Sequence, residues 1–377
     1  MTLFYHYKTV ITNLIKNKKR VITIMSKSKT ALITGITGQD GAYLAQFLLK
    51  KNYNVYGTFR RLSTPNFWRL LSLDIQNDVH MISADLSDLT SLVESIKISK
   101  PDEVYHLAAQ SYVGASFEQP IASGEHTGMA VTRVLESIRL TDPQIKFYQA
   151  SSSELFGNSN SSSQNEQTPF QPRSPYAIAK LFGYWTTKLY RDGYDMFATN
   201  GILFNHESPL RGLEFVTRKI SNDVAKIKLG LSKKINLGNL DGARDWGYAP
   251  EYVEGMWKLM QLKKPGDYIL STDETHTVRE FAELAFSYVD LKWDKHVKVD
   301  KDLYRLLEVN LLKGDSSKTR KAIGWKPKIK FKKLVELMVD ADLERWRKWI
   351  KGEHFPWDAN NYIHEANLQF RKFYKTK

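Results

Sequence analysis

The fold is decided by a short stretch near the start of the chain, Ala31-Leu-Ile-Thr34-Gly35-Ile-Thr37-Gly38-Gln39-Asp40-Gly41. Residues 31–34 form an apolar run that predicts a buried strand, and residues 42–51 have the periodicity of a helix. Gly35 permits a tight turn, Gly38 lets the backbone approach a pyrophosphate, and Gly41 allows the helix to pack closely on the strand. The first N–H groups of the helix would face the phosphates. The stretch therefore predicts a dinucleotide-binding loop, with a purely structural turn as the alternative.

Short apolar runs and helical patterns alternate as far as residue 203. Strands are predicted at residues 54–57, 79–82, 103–106, 146–149 and 197–203, with helices such as 42–51 and 89–98 between them. This alternation predicts an α/β fold, a Rossmann-like doubly wound parallel sheet. The pattern loosens after residue 205, which predicts a smaller C-terminal substrate-binding subdomain.

Four domains are expected. They are a basic N-terminal extension (1–29), a mainly dinucleotide-binding Rossmann domain (30–204), a mainly substrate-binding region (205–342) and a C-terminal helical extension (343–377). Some strands and helices of the third region are expected to return to the Rossmann domain.

Composition restricts the possible functions. The chain has 377 residues, no cysteine and a net charge of +14. The missing cysteines exclude disulfides, thiolate zinc sites and a thiol nucleophile, and we expect a cytoplasmic protein. No apolar run approaches the ~20 residues of a membrane span, so no membrane partner is expected.

The charge is unevenly distributed. Half of it comes from basic residues before the glycine loop, with no acid among them: Lys8, Lys16, Lys18, Lys19, Arg20, Lys27 and Lys29. We interpret residues 1–24 as a dispensable tail, with a membrane-surface or targeting role as the alternative.

The choice of dinucleotide depends on the end of the second predicted strand. About 20 residues beyond the last loop glycine, an NAD site places an acid on the ribose 2′-hydroxyl. This chain has Phe59-Arg60-Arg61 there, and two guanidinium groups would hold a 2′-phosphate, so NADP is favoured over NAD. A solvated basic pair is the alternative. Further candidates follow the third and fourth strands, at the edge that faces the ligand: Asp85, Leu86, Leu107, Ala109, Gln110 and Ser111.

A second group of residues predicts proton and hydride transfer. Tyr176 and Lys180 are four residues apart, so they share one face of a predicted helix. A free phenol titrates near pH ~10, and a neighbouring ammonium would stabilise the tyrosinate. Ser152 and Glu154 lie shortly before them, and Glu154 adds a carboxylate for a second proton transfer. Alone, Tyr176 would be interpreted as a core or surface tyrosine; the set together predicts a catalytic site.

Together these motifs resemble the extended short-chain dehydrogenase/reductase family, and within it the GDP-mannose 4,6-dehydratases of the sugar-nucleotide dehydratase branch. The narrower resemblance rests on residues 147–157, 172–180, 200–209, 215–220, 237–241 and 244–247. It extends from about residue 30 to about residue 343. It implies an NADP-dependent hydro-lyase that acts on GDP-mannose, forms a homodimer or homotetramer, and binds neither nucleic acid nor a metal.

The resemblance also implies roles. Tyr176 would take the proton of the sugar 4-hydroxyl while hydride leaves C4 for the nicotinamide, and Lys180 would lower the pKa of Tyr176 and hold the ribose. Ser152 would hydrogen-bond the 4-oxygen. Glu154 would remove the C5 proton and help the 6-hydroxyl leave as water, before hydride returns to C6. A 4-epimerase needs only the redox half, so Glu154 discriminates between the two reactions.

Other site residues are implied by position. The cofactor site would comprise Gly35, Thr37, Gly38, Gln39, Asp40, Gly41, Arg60, Arg61, Asp85, Leu86, Leu107, Ala109, Gln110, Ser111, Tyr176, Lys180, His206 and Arg211. The substrate site would comprise Ser111, Ser152, Glu154, Asn205, Val216, Lys219, Arg244, Arg305 and Glu308. The chain departs from the family pattern at Leu306 and Asn310, and at Ala122, where many relatives have a tyrosine.

Three alternatives remain open. The same dehydration could act on GDP-D-glycero-D-manno-heptose, or the chain could be a sugar-nucleotide 4-epimerase. A non-catalytic NADP-binding scaffold or RNA-binding protein is the alternative from another class, motivated by the sequence pI of ≈ 9.5. The aromatic stretch 65–68, after the arginine pair, is predicted to contact a neighbouring subunit.

Overall fold

The structure is a computed structural model that describes residues 28–63 and 66–357; residues 1–27 of the predicted basic extension and residues 358–377 lie outside this part. Its strands are β1 (Thr30–Thr34), β2 (Asn54–Phe59), β3 (His80–Ser83), β4 (Glu103–His106), β5 (Lys146–Ser152), β6 (Ala198–Leu203), β7 (Asn205–Glu207), β8 (Ile235–Leu237), β9 (Ala243–Arg244), β10 (Trp246–Tyr248), β11 (Asp267–Leu270), β12 (His276–Thr277), β13 (Val297–Val299) and β14 (Leu311–Leu312). Its α-helices are α1 (Gln39–Leu49), α2 (Trp68–Ser72), α3 (Leu89–Ser99), α4 (Val113–Glu118), α5 (Pro120–Ser123), α6 (Ala130–Thr141), α7 (Pro175–Tyr194), α8 (Val216–Lys228), α9 (Ala249–Met260), α10 (Val278–Tyr288), α11 (Ser317–Ile323) and α12 (Phe331–Ile350). A π-helix, Gly124–Met129, lies between α5 and α6.

A parallel sheet forms the centre of the molecule. In the described residues it has seven strands in the order β11-β6-β5-β4-β1-β2-β3. Its central strands are buried along their length, as expected when helices cover both faces of a parallel sheet. The predicted α/β class and doubly wound architecture are confirmed. The order reverses on either side of β1, and this switch point is where such sheets bind ligands.

The second half of the chain contributes to two cores. Helix α9 packs on α1, and β11 adds an edge strand beside β6, so both return to the main sheet. The remaining elements form a separate apolar core around α8, α10 and α12. Short strands in this half of the chain also pair with one another. β7 pairs with β10, and β9 pairs with β12 and β14. These pairs bring β7, β9 and β10 to the carboxyl edge of the main sheet.

The C-terminal segment does not begin a new element at residue 343, because α12 extends from Phe331 to Ile350 and its buried face joins the second core. Beyond it, Trp357 packs edge to face on Trp68 with ring centroids 5.5 Å apart. No helix in the described part of the chain has the length and apolar character needed to cross a membrane.

Candidate active site

A cleft of about 1230 Å³ opens at the carboxyl edge of the sheet. The structure brings together in its lining every residue predicted for the site: Gly35, Thr37, Gly38, Gln39, Asp40, Gly41, Arg60, Arg61, Asp85, Leu86, Leu107, Ala109, Gln110, Ser111, Ser152, Glu154, Tyr176, Lys180, Asn205, His206, Arg211, Val216, Lys219, Arg244, Arg305 and Glu308. Residues that are more than 270 positions apart in the chain therefore share one cavity, as Gly35 and Glu308 do.

The glycine loop forms a cradle of closely spaced backbone. Gly35 has φ +73°, and a Cβ there would lie 2.8 Å from the Ala108 backbone. A Cβ on Gly41 would lie 2.4 Å from the Gly35 carbonyl oxygen, so any side chain would push α1 away from the loop. Gly38 is the extended residue before α1, and the helix N-terminus therefore faces the cleft. This geometry fits the pyrophosphate of a dinucleotide.

Charged side chains lie where the cleft meets the ends of β2 and β3. Arg60 and Arg61 are exposed directly after β2, and Asp85 follows β3. Hydrogen bonds from Ser87 lower the pKa of Asp85, and the charges of His126 and Arg60 act in the same direction. His126 lies on the π-helix and was not predicted from the sequence, since an isolated histidine carries no motif.

The candidate proton-transfer residues meet where β5 ends. Ser152 is the last residue of β5, and a 3-10 turn, Ser153–Leu155, places Glu154 beside it. The Glu154 amide donates to the Ser152 hydroxyl at 3.2 Å. Tyr176 and Lys180 occupy the first turns of α7, which Ser174 caps by accepting from the Ala177 amide. The predicted helix and its shared face are therefore present.

The electrostatics of the tyrosine differ from the expectation. Burial raises the pKa of Tyr176 to about 12; a hydrogen bond with Ser152 opposes this, and the charge of Glu154 adds to it. Burial lowers the pKa of Lys180 to about 8. The Lys180 ammonium donates to the Ala150 carbonyl at 2.7 Å and lies 5.9 Å from the centroid of the Tyr176 ring. In this arrangement the Lys180 ammonium is held by the carbonyl at the end of β5 and lies over the Tyr176 ring.

Two arginines and two carboxylates cluster at the substrate end. Arg305 Nη1 lies 3.6 Å from Glu154 Oε1, and the Arg305 amide donates to Glu308 at 2.9 Å. Burial lowers the pKa of Arg244. The charge of Glu154 opposes this shift, because it favours the charged guanidinium group. Such a cluster can exchange its internal ion pairs for contacts with a diphosphate.

Two arginines, Arg69 and the buried Arg218, hold the segment that carries Arg211. Arg69 donates to the Leu210 carbonyl at 2.8 Å and to the Thr37 carbonyl of the glycine loop at 3.1 Å. Arg218 donates to the carbonyls of Pro209 and Arg211 at 2.9 and 2.8 Å. Arg211 itself stacks 3.6 Å above the Phe215 ring centroid. The sequence did not indicate Arg69 or Arg218 as supports, because their partners lie far away in the chain or in its backbone.

The positions that depart from the family pattern occupy different places. Ala122 lines the cleft. Leu306 is 81% exposed at its rim, and the Asn310 amide donates to Asn158. The aromatic stretch differs from the expectation of a subunit contact, since Phe67 and Trp68 are buried in the chain's own core.

Most of the chain matches one family of known proteins. A family model described as GDP-mannose 4,6 dehydratase matches residues 32–338. GDP-mannose 4,6 dehydratase 1 of Arabidopsis thaliana is 50% identical over 333 residues, which cover 85% of this chain and 91% of the relative. GDP-mannose 4,6 dehydratase of Homo sapiens is 45% identical and matches 84% of this chain and 92% of its own length.

Solved structures share the fold at lower identity. RMD from Pseudomonas aeruginosa complexed with NADPH has a TM-score of 0.70 at 21% identity, with 84% of this chain and 100% of that chain covered. The dTDP-glucose 4,6-dehydratase of Bacillus anthracis in complex with NAD has a TM-score of 0.75 at 17% identity, with 86% and 100% covered.

Proposed function

Because the chain belongs to the GDP-mannose 4,6-dehydratase family, we propose that it converts GDP-α-D-mannose to GDP-4-dehydro-6-deoxy-D-mannose and water. The observation that carries this proposal is the position of Glu154. It shares the cleft with Tyr176 and Lys180, and it is next to the Ser152 hydroxyl. A carboxylate there supplies the proton transfer that water loss requires and simple alcohol oxidation does not.

Each of the four residues Ser152, Glu154, Tyr176 and Lys180 has a different role in the proposed reaction. A bound nicotinamide supplies the reversible hydride acceptor. Tyr176 takes the proton of the 4-hydroxyl as C4 is oxidised, and Ser152 donates a hydrogen bond to the resulting 4-oxygen. Glu154 then removes the C5 proton, which the C4 ketone acidifies, and passes a proton to the departing 6-hydroxyl. The hydride taken from C4 would then add at C6 and a proton would add at C5, which gives the 6-deoxy product. Lys180, anchored on the Ala150 carbonyl, holds the ribose beside Tyr176.

The diphosphate of the substrate is proposed to bind Arg244 and Arg305. Arg305 lies 3.6 Å from Glu154, and the charge of Glu154 acts on Arg244, so binding would bring the sugar ring next to the carboxylate. Asn205, Val216 and Lys219 line the same end of the cleft, and Glu308 is proposed to contact the ribose or base.

We propose NADP as the cofactor. Nicotinamide cofactors occur in the structural neighbours as NADPH and as NAD, so the family fold alone supports only the class. The support for NADP is the exposed pair Arg60 and Arg61 at the cleft end of β2, where a 2′-phosphate would lie. Calorimetric titration should give tighter binding of NADP⁺ than of NAD⁺; equal affinities would contradict this choice.

A homo-oligomer, dimer or tetramer, is proposed through the outer face of α7. Four large apolar side chains follow one another there at helical spacing, and each is at least 45% exposed: Ile178, Phe182, Trp185 and Leu189. Exposed apolar surface of this continuity indicates a protein interface.

The substrate proposal is tested by incubating the purified protein with GDP-mannose and, separately, with GDP-D-glycero-D-manno-heptose. The heptose nucleotide is included because Leu306 replaces the family residue next to Arg305. Mass spectrometry should show loss of one water from GDP-mannose. If neither nucleotide loses water, the proposed function is wrong; loss from the heptose nucleotide alone would reassign the sugar.

A further inference from the structure

The glycine loop and the segment 205–211 are joined by an ion pair between Asp40 and His206. His206 Nε2 lies 2.7 Å from Asp40 Oδ2, although the two residues are 166 positions apart. Gln39 adds a second connection, since its side-chain amide donates to the His206 carbonyl at 3.1 Å. Ser208 adds a third by donating to the Gln39 side-chain oxygen at 2.7 Å.

The hydrogen bonds of the imidazole determine its protonation. His206 Nδ1 lies 2.7 Å from the Phe204 carbonyl oxygen, which can only accept. Nε2 faces the Asp40 carboxylate, which also accepts only, so both ring nitrogens must carry a proton. Deprotonation would turn a nitrogen lone pair toward an oxygen at 2.7 Å. The contact therefore requires an imidazolium.

This cation also compensates the charge of Asp40. Asp40 is in the first turn of α1, where the helix N-terminus faces the cleft and a phosphate would bind. An unpaired carboxylate at that position would repel the pyrophosphate. With His206 protonated the pair is neutral, and the helix N-terminus remains attractive to an anion.

We propose that Asp40 and His206 form a protonation-dependent clasp, an inference that rests on the proposed cofactor. The clasp positions the glycine loop and the segment 205–211, which carries Asn205 and Arg211, so that both can hold the cofactor. Asp40 and His206 are positioning residues in this role: they act through the loop and the segment that they join.

Several charged or titratable groups face the pair. Those near His206 are Asp40 on α1, Arg211 and Glu207 on its own segment, and Tyr252 of α9, whose ring stacks on the imidazole at 4.7 Å. Those that sense the charge of Asp40 are Lys180, Tyr176, Tyr148 and Arg69. Of these, Lys180 also titrates near neutral pH, so the test must separate it from His206.

The pH dependence follows from the signs of the shifts. Burial opposes the charged imidazole, but Asp40 raises the pKa of His206 above 6.5. Burial likewise opposes the carboxylate, but His206 lowers the pKa of Asp40 to about 2. The clasp is therefore complete below pH 6.5 and is lost as pH rises through the raised pKa of His206. At the acid end it is complete above pH 3.8 and is lost as pH falls toward 2.

The first test observes the imidazole directly, without cofactor. NMR of ¹⁵N-histidine-labelled protein should show one imidazolium that remains doubly protonated above pH 6.5, a signal identified by its absence in His206→Gln. In Asp40→Asn the amide can donate to a neutral ring, so the same signal should become a neutral Nδ1–H tautomer. A neutral His206 in the wild-type protein at pH 6.5 would overturn the proposal.

The second test measures the dissociation constant of NADP⁺ from pH 6 to 9. In the wild-type protein it should rise by up to about tenfold per pH unit above the pKa of His206, the limit for one proton. Asp40→Asn and His206→Gln should both lose this dependence, whereas His296→Gln, outside the cleft with its ring against the Lys233 carbonyl, should keep it. Lys180 is present in all four proteins, so a slope common to all four would overturn the clasp. Failure to bind any nicotinamide dinucleotide would contradict the proposed function, and the NMR result would still decide the protonation.

Discussion

At the residue scale, the proposed reaction assigns C4 oxidation to Tyr176 and water loss to Glu154. Replacing Glu154 with Gln keeps the size and removes the base. We expect C4 oxidation to continue while water loss falls by roughly 10²- to 10⁴-fold, the usual contribution of a general base. Stopped-flow absorbance should then show reduced cofactor accumulating, while mass spectrometry detects little dehydrated product.

A matched control is Glu166→Gln. Glu166 lies outside the cleft lining, and its Oε1 accepts from the Ile269 amide at 3.0 Å, a bond that glutamine can keep. This variant should dehydrate GDP-mannose at the wild-type rate. An unchanged dehydration rate in Glu154→Gln would remove the carboxylate from the mechanism.

The sequence was sufficient to identify the candidate catalytic set because those residues occur in short motifs at fixed spacing. It was not sufficient for the surroundings that set their pKa values. The spacing of Tyr176 and Lys180 predicted a shared helix face, but the bond from Lys180 to the Ala150 carbonyl depends on how α7 packs on β5. Arg218 was missed for the same reason, since its acceptors are backbone carbonyls.

At the element scale, the junction of β1 and α1 depends on a glycine. Gly41→Ala would place a Cβ 2.4 Å from the Gly35 carbonyl, so α1 must move. We expect a loss of about 1 to 3 kcal/mol in unfolding free energy from this overpacking, and weaker NADP⁺ binding. Gly124→Ala is the control, because a Cβ there meets nothing within 4 Å. Equal stability of the two variants in urea unfolding would contradict the close packing of the loop.

The apolar face of α7 gives a prediction about assembly. Trp185 is 52% exposed, and Trp185→Glu should place a charge in the proposed interface and shift the protein toward the monomer. Leu231→Glu, at another site with 41% exposure, should leave the mass unchanged. Light scattering measures the mass of each variant. A wild-type protein that is a monomer would contradict the proposed oligomer.

Predicted and observed elements agree best where periodicity is strong. The strand predicted at 103–106 matches β4, Glu103–His106, and the helix predicted at 89–98 matches α3, Leu89–Ser99, to within one residue. Strands of two or three residues, such as β9 and β14, contain too few positions to show alternation, so no pattern predicted them.

At the scale of the whole molecule, a buried ion network connects α12 to the cleft. Asp342 accepts from Arg218, Ser221 and Arg345 at 2.6 to 2.9 Å for its shortest bonds, and Arg218 also holds the segment before α8. Asp342→Asn should lower the unfolding free energy by about 3 to 5 kcal/mol, because it leaves buried guanidinium groups without a counter-charge.

The control is Glu344→Gln, which removes an exposed pair with Lys348 on the same helix and should change little. Urea unfolding compares the variants. Similar stability of both would contradict the stabilising role of the buried network.

The return of the second half of the chain to the main sheet was expected only in outline. The motifs predicted a substrate region after residue 205. The pairing of β11 with β6 and the packing of α9 on α1 are tertiary contacts. Each depends on complementary apolar surfaces that are distant in sequence. A single chain does not reveal such pairings by its local pattern.

The central claim is that one cleft oxidises C4, eliminates water across C5 and C6, and reduces C6. Its most direct test is GDP-mannose carrying deuterium at C4, incubated with the protein and its bound cofactor and analysed by NMR of the product. We predict a 4-keto-6-deoxy nucleotide with the deuterium at C6. A product that keeps its 6-hydroxyl, or a dehydrated product without deuterium at C6, would contradict the account.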